Sequence, residues 1–297
     1  MRVTTQMLNE TARKARLPIN NSTLLDYINN DSSADSMLNS INGSTSAATQ
    51  MLKAKVSKTG MAAAILDGGD HTWINFYNLD GSLVAENQTN IQDPGYPMDV
   101  ALADNGVVMM VAYQFVDSSE TTSYIAFYNF GEVGQNEDDR IVSGYTYDGV
   151  VVPQIQYLGS NAVALRDDGF TIYSGRQIPK ELKTVQVEQE IISTFYDENN
   201  IGLVFKNDSK DKQYTMQVYS SAGKLKFSKD FNIPYTTIRM SDDYIVMYNS
   251  SQLCVLNSNG SEKYFGSVDG TVKDFFKLGW NKYLLVMDTG VNVIKLS

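Results

Sequence analysis

A short strand signature recurs along most of this 297-residue chain, and nothing else in the sequence constrains the fold as strongly. It first reads Trp73-Ile-Asn-Phe-Tyr-Asn-Leu-Asp-Gly81. It returns as Tyr124-Ile-Ala-Phe-Tyr-Asn-Phe-Gly131, as Phe170-Thr-Ile-Tyr-Ser-Gly175 and as Tyr214-Thr-Met-Gln-Val-Tyr-Ser-Ser-Ala-Gly223. Weaker copies stand at Gln252-Leu-Cys-Val-Leu-Asn-Ser-Asn-Gly260 and Val291-Asn-Val-Ile-Lys-Leu296. Aromatic and β-branched residues followed by a polar, Gly-bearing turn describe a strand and its hairpin. A chain that repeats such a unit is built by stacking it.

A more apolar strand precedes each copy: Met61–Leu66, Val107–Tyr113, Ala162–Leu165, Ile201–Phe205, Tyr244–Tyr248 and Tyr283–Met287. Their first residues lie 46, 55, 39, 43 and 39 positions apart, the spacing of four-stranded propeller blades. The polar run Gly131–Asp139 accounts for the longest interval. A single sandwich would not show six such units, and a β-helix would show shorter, more regular coils. The expected class is therefore an all-β propeller of six to seven four-stranded blades.

The last unit supplies strands at 271–276, 282–287 and 291–296 and then the chain ends, one strand short of a blade. An outer strand donated by the N-terminal segment, within a degenerate seventh blade or not, would close the ring and remove its free edge. Residues 1–50 differ from the rest, being rich in Asn, Ser, Thr and Ala. They carry helix-like spacing at Gln6–Leu17 that stops at Pro18, a possible second turn around Leu24, Leu25, Tyr27 and Ile28, and a small, polar run at Ser33–Thr49. The expected division is thus an N-terminal closing segment, 1–50, and a propeller domain, 51–297.

The net charge of -10 narrows the partners. Residues 1–50 balance Arg2, Arg13, Lys14 and Arg16 against Glu10, Asp26, Asp31 and Asp35, so the excess acid lies in 51–297. An acidic surface repels phosphate backbones and anionic lipid, which argues against nucleic acid and against a membrane surface as partners. No stretch approaches the roughly 20 apolar residues of a membrane helix, and Met1-Arg-Val-Thr-Thr-Gln lacks the apolar core of a signal peptide, so the chain as given is expected to be soluble. Cys254 stands alone in an apolar strand, the setting of an inert core thiol rather than a disulfide or nucleophile.

Several strand motifs carry a family resemblance: Asp99-Val-Ala-Leu-Ala-Asp-Asn-Gly106, Ile125–Gly131 with Val133-Gly-Gln135, and Glu190–Asp197 with Ile201–Phe205. The closing Tyr283–Met287 and Ile294-Lys-Leu296 fit it too. Over residues 51–297 the chain resembles a family of uncharacterised envelope proteins of Gram-positive bacteria. The resemblance implies a short cytoplasmic tail, one membrane helix and an extracytoplasmic β-propeller, and it brings no catalytic residues. The implied helix is absent from residues 1–50, so membrane attachment would run through a helix outside this chain.

Chemistry-bearing residues have bland explanations. His71, the one histidine, lies in Asp67-Gly-Gly-Asp-His-Thr72, a turn composition, with no nucleophile in sight. Paired acids occur at Asp138-Asp139, Asp167-Asp168, Glu188/Glu190 and Asp242-Asp243. A glycosidase needs two facing carboxylates, which a propeller could draw from separate blades. Yet the acids at 167–168 and 242–243 fall in turns, where they satisfy local donors, and Glu188 and Glu190 fit one solvent face of a strand. Asn207–Lys212 is oxygen-rich but lacks the Gly and distal Glu of a calcium loop. CxxC, HExxH, nucleotide-loop, WD and kelch patterns are missing, so zinc and those propeller classes are not expected.

Tyr77, Tyr128, Tyr173 and Tyr219 recur at matching positions, which fits packing between blades with each hydroxyl on a nearby polar group. Tyr96, Tyr145, Tyr147, Tyr157 and Trp280 stand outside that register or in loops, and form the candidate rim for a sugar or peptide. The sequence thus favours a non-enzymatic binding or scaffold module for a protein, peptide or glycan at the cell envelope, with no catalytic residue, cofactor or metal assigned. A carbohydrate-active hydrolase or lyase using channel carboxylates is the alternative, and a structural spacer near the membrane is the third reading.

Overall fold

The structure is a computed structural model that describes residues 50–69, 71–89, 94–117, 120–136, 140–207, 212–241 and 243–296. The segment expected to close the ring, the paired acids Asp138-Asp139, Asp242 and the centre of the oxygen-rich run, Asp208–Asp211, lie outside these residues. Two compact units divide the described chain, 50–190 and 191–296.

Each unit is a series of antiparallel meanders in chain order. In the first unit β1 (Gln50–Val56), β2 (Ala62–Asp67), β3 (Thr72–Tyr77) and β4 (Leu83–Thr89) make sheet 1. β5 (Tyr96–Leu102), β6 (Val108–Asp117), β7 (Glu120–Asn129) and β8 (Ile141–Asp148) make sheet 2. β9 (Gln154–Leu158), β10 (Asn161–Arg166), β11 (Gly169–Ser174) and β12 (Lys180–Gln186) make sheet 3. In the second unit β13 (Ile191–Tyr196), β14 (Asn200–Lys206), β15 (Tyr214–Ser220) and β16 (Leu225–Phe231) make sheet 4. β17 (Thr237–Ser241), β18 (Tyr244–Tyr248), β19 (Gln252–Asn257) and β20 (Glu262–Ser267) make sheet 5. Sheet 6 has three strands among the described residues: β21 (Val272–Gly279), β22 (Lys282–Met287) and β23 (Gly290–Lys295).

The strands differ in burial as their sequences dictate. β2, β10, β14 and β18 are buried almost throughout, because apolar runs such as Ala62-Ala-Ala-Ile-Leu66 have packing on both faces. Fourth strands such as β8 and β20 alternate between covered and exposed positions, with one face meeting solvent, while β12 is mostly exposed. Within the first unit one core lies between sheets 1 and 2, holding Ile65, Phe76, Val100 and Met109. A second lies between sheets 2 and 3, holding Met110, Phe127, Ile155 and Tyr173. In the second unit Val204, Met216, Met247 and Cys254 fill the space between sheets 4 and 5, and Val246, Val255, Phe275 and Leu285 that between sheets 5 and 6. Burial pushes the Cys254 thiol up to about 12, which keeps it a neutral packing group.

The recurrent signature has a geometric cause. In sheets 1 to 4 the pairing of third and fourth strands slips just before the repeated tyrosine, at Phe76/Tyr77, Phe127/Tyr128, Ile172/Tyr173 and Val218/Tyr219. A bulge bends the strand and re-aims the side chain that follows. Each of these tyrosines has a polar partner. The Tyr77 hydroxyl accepts Asn75 Nδ2 at 3.0 Å, and those of Tyr128 and Tyr173 meet Tyr113 and Tyr147 at 2.6 and 2.5 Å. Tyr219 donates to Gln217 Oε1 at 2.5 Å. Sheet 5 keeps the slip, at Val255/Leu256, but has lost the tyrosine.

Two sequence expectations change. The long second interval comes only partly from the polar loop, which carries a 3-10 turn at Glu132–Asn136; β6 and β7 are also extended to ten residues each. Glu188 and Glu190 do not lie on a strand. β12 ends at Gln186, and both acids sit exposed in the connection to β13. Both acids do meet solvent, but alternating polar residues past a strand end mimic its continuation.

Candidate functional site

The first strands of the sheets hold a polar cluster at a place where the chain repeats itself. A second bulge recurs there, between Met51 and Lys53 in β1, Pro97 and Asp99 in β5, Ile191 and Ser193 in β13, and Val272 and Asp274 in β21. The residue after each bulge is polar although its neighbours are largely apolar.

Asp99 is the most buried of these, its side chain 1% exposed. Oδ1 receives Lys53 Nζ at 2.7 Å from sheet 1 and its own neighbour's Val100 N–H at 2.9 Å. Oδ2 receives the Ile155 N–H at 2.9 Å from sheet 3. One carboxylate therefore joins the first strands of three successive sheets. A buried charge persists only when paired and hydrogen-bonded, and Asp99 is both. Lys55 stands two positions beyond Lys53, on the same face of β1, half-buried. Burial lowers its pKa, the Asp99 charge opposes that shift, and Lys53 adds to it.

The second unit repeats the device in a wetter form. Asp274 Oδ1 accepts the Phe275 N–H at 2.7 Å and Arg239 Nη1 at 2.6 Å, across sheets 5 and 6. Arg239 also donates to the Tyr248 hydroxyl at 3.0 Å. Here the side chains of Arg239 and Asp274 are 43% and 28% exposed, so solvent screens the pair. Ser193 Oγ accepts the Tyr235 hydroxyl at 2.7 Å, from the connection that leads to sheet 5.

Of the five candidate rim residues, the four tyrosines lie in the first unit and Trp280 in the second. Tyr145 and Tyr147 alternate on β8 and turn inward against sheet 3. The Tyr145 hydroxyl donates to Pro179 O at 3.1 Å, and the Tyr147 ring lies under Arg166, 4.7 Å from the guanidinium carbon. Tyr157 is buried in the same core, and burial pushes its pKa upward. Those three pack together between sheets 2 and 3, the position sequence reasoning gave to other tyrosines. Spacing by two within a strand was the available signal for Tyr145 and Tyr147. Tyr96 is half-buried at the start of β5, its pKa raised by burial and then by the charge of Asp67. Trp280 alone is fully presented, 90% exposed. It occupies the two-residue turn between β21 and β22 beside Asn281, whose φ of 52° suits a residue type that tolerates the left-handed region. Lys263 Nζ donates to Asn281 Oδ1 at 2.7 Å and braces that turn.

Tyr157 supports a prediction. Its hydroxyl is buried without a hydrogen-bond partner among the described residues. Tyr157→Phe should leave the fold intact and raise the stability by about 1 kcal/mol, since it removes an unmet desolvation cost. A lower melting temperature would mean that the hydroxyl is bound.

Of the acids weighed for hydrolysis, Asp167, Asp168 and Asp243 are engaged locally. Asp167 Oδ1 accepts the Val151 N–H at 3.1 Å. Asp168 forms a bidentate pair with Arg166 at 2.7 and 2.6 Å; burial disfavours its charge, but the guanidinium outweighs that and holds the carboxyl below its usual range. Asp243 pairs with Lys277. His71 closes the β2–β3 hairpin, its carbonyl accepting the Gly68 N–H at 3.0 Å. Among the described residues no group of three or more His, Cys, Asp and Glu side chains is placed to hold a metal ion, and no helix is long and apolar enough to cross a membrane.

Repeated four-stranded antiparallel meanders define a class, that of propeller-like blades, and solved structures bear the likeness. The WD40 domain of SCAP from fission yeast matches at 11% identity and a TM-score of 0.50, covering 82% of this chain and 65% of that one. A prolyl endopeptidase structure matches at 11% identity and 0.54, covering 84% of this chain and 40% of that one. The Pan2 WD40 domain of Neurospora crassa gives 12% and 0.46, covering 84% and 74%. This chain thus spans less than two thirds of the SCAP and endopeptidase chains. At such identities the likeness is one of fold alone. It extends to WD40 domains although this sequence has no Trp-Asp dipeptide, so the blades are shared without that class's marker. No curated protein matches in sequence. Residues 37–296 match DUF5711, a family of unknown function, and the chain belongs to that family.

Proposed function

We propose that this chain is a non-enzymatic binding module, a closed β-propeller held at the extracytoplasmic face of a bacterial membrane by a helix outside the chain, that captures a glycan or peptide of the envelope. Trp280 carries the reading. A braced hairpin turn holds a large indole in water, and exposed aromatics at loop positions are the usual contacts for sugar rings and peptide side chains. The engagement of Asp99, Asp167, Asp168 and Asp243 in ion pairs and backbone hydrogen bonds weighs against the alternative hydrolase or lyase.

Tryptophan fluorescence tests the reading directly, because the only other indole, Trp73, is half-buried in β3. Titration with soluble peptidoglycan fragments, and separately with a panel of peptides, should give saturable quenching in one series. Trp280→Ala should abolish the change while melting at the wild-type temperature. Flat titrations with both ligand classes, or unaltered affinity measured calorimetrically for Trp280→Ala, would defeat the proposal.

A further inference from the structure

We propose that Lys55 anchors a second binding site, one that takes a single carboxylate group at the first strand of sheet 1. The argument begins with strand register. Lys53 and Lys55 pair across β2 with Ile65 and Ala63, both in the core between sheets 1 and 2, so the two ammonium groups leave the same face of β1. Asp99 pairs with Lys53 at 2.7 Å, and its charge also acts on Lys55. Its carboxylate already carries Lys53 and two backbone N–H groups. The cluster therefore holds two positive charges against one negative, and the uncompensated charge belongs to Lys55.

Lys55 is half-buried, and among the described residues its ammonium has no ion-pair or hydrogen-bond partner. Removing an ammonium from water without pairing it is costly, and an arriving anion relieves that cost. A protein of net charge -10 repels anions over most of its surface, so a small, partly desolvated positive site stands out against it. The remainder is one unit charge, presented by a lysine as a point donor. The guanidinium fork that a lysine lacks serves carboxylate and phosphate alike, so the charge decides: one carboxylate balances the remainder, and a phosphate dianion exceeds it. This site does not involve Trp280 or the reading built on it.

The test uses the full chain labelled with 13C at lysine Cε, with the Lys55 resonance assigned by its loss in Lys55→Met. Acetate is the probe and phosphate the comparator, at constant ionic strength in sodium chloride. An anion favours the charged amine, so acetate must move the Lys55 titration midpoint upward. If the protonated form alone binds, the rise is about half a pH unit at roughly twice Kd, and the Kd from chemical shift must agree with it. Lys53→Met should hand Asp99 to Lys55, raise its midpoint without acetate, and erase the acetate response. An equal response from every lysine, no movement of Lys55, or a larger response to phosphate than to acetate overturns the proposal. Failure here leaves the Trp280 titrations unaffected, so the two readings fail separately.

Discussion

Asp99→Ala should lower the stability of the chain by about 3 kcal/mol, the cost of leaving a charge and backbone donors without their buried partner. For a domain of this size that corresponds to a fall of about 6–12 °C in Tm. Three things are lost together: the Lys53 ion pair, the local Val100 hydrogen bond and the Ile155 N–H contact. The paired control is Asp274→Ala, which removes the same arrangement from an exposed setting and should cost no more than about 1 kcal/mol. Thermal melts of both variants decide the matter. Equal losses would show that burial is not what makes the Asp99 clasp strong.

A chain beginning at residue 50 should also melt lower and associate more readily. β23 is the outermost described strand of sheet 6, and it leaves Val291 and Val293 52% and 62% exposed. A long, partly apolar edge of this kind is a template for pairing. The family match starts at residue 37, thirteen positions before Gln50, so the shared unit includes sequence upstream of β1. If that sequence supplies the missing strand, its removal uncovers the two valines and costs about 2 kcal/mol, or roughly 4–8 °C. Scattering and calorimetry on the shortened chain measure both effects. An unchanged melt would remove the N-terminal segment from any role in completing sheet 6.

The strands themselves were legible because burial leaves a period in the sequence. Every apolar second strand and every third strand, aromatic or β-branched, stands about where its pattern places it, from Ala62–Asp67 to Gly290–Lys295. The bulges were not legible, since a one-residue slip leaves no compositional trace; the recurring tyrosine was their shadow. The Lys53–Asp99 clasp escaped notice for a different reason. Its partners lie 46 positions apart and meet through the stacking of sheets, which no local motif encodes. A trace did exist: a lone aspartate inside Met98-Asp99-Val-Ala-Leu102, and another in Val272-Lys-Asp-Phe-Phe276, is costly in a strand unless something answers it. For the rim candidates, position outside a register does not mean exposure. Tyr145, Tyr147 and Tyr157 are outside the repeat yet packed, and only Trp280, in a turn too short to bury it, is in water.

The place of Cys254 gives the molecule a built-in reporter. The chain has a single sulfhydryl, 5% exposed, within the seam between sheets 4 and 5. A thiol reagent added to the native protein reacts when that seam parts, so the labelling rate counts its openings and is silent about the other seams. Followed against ligand or temperature, one chemical clock would time the breathing of one chosen joint.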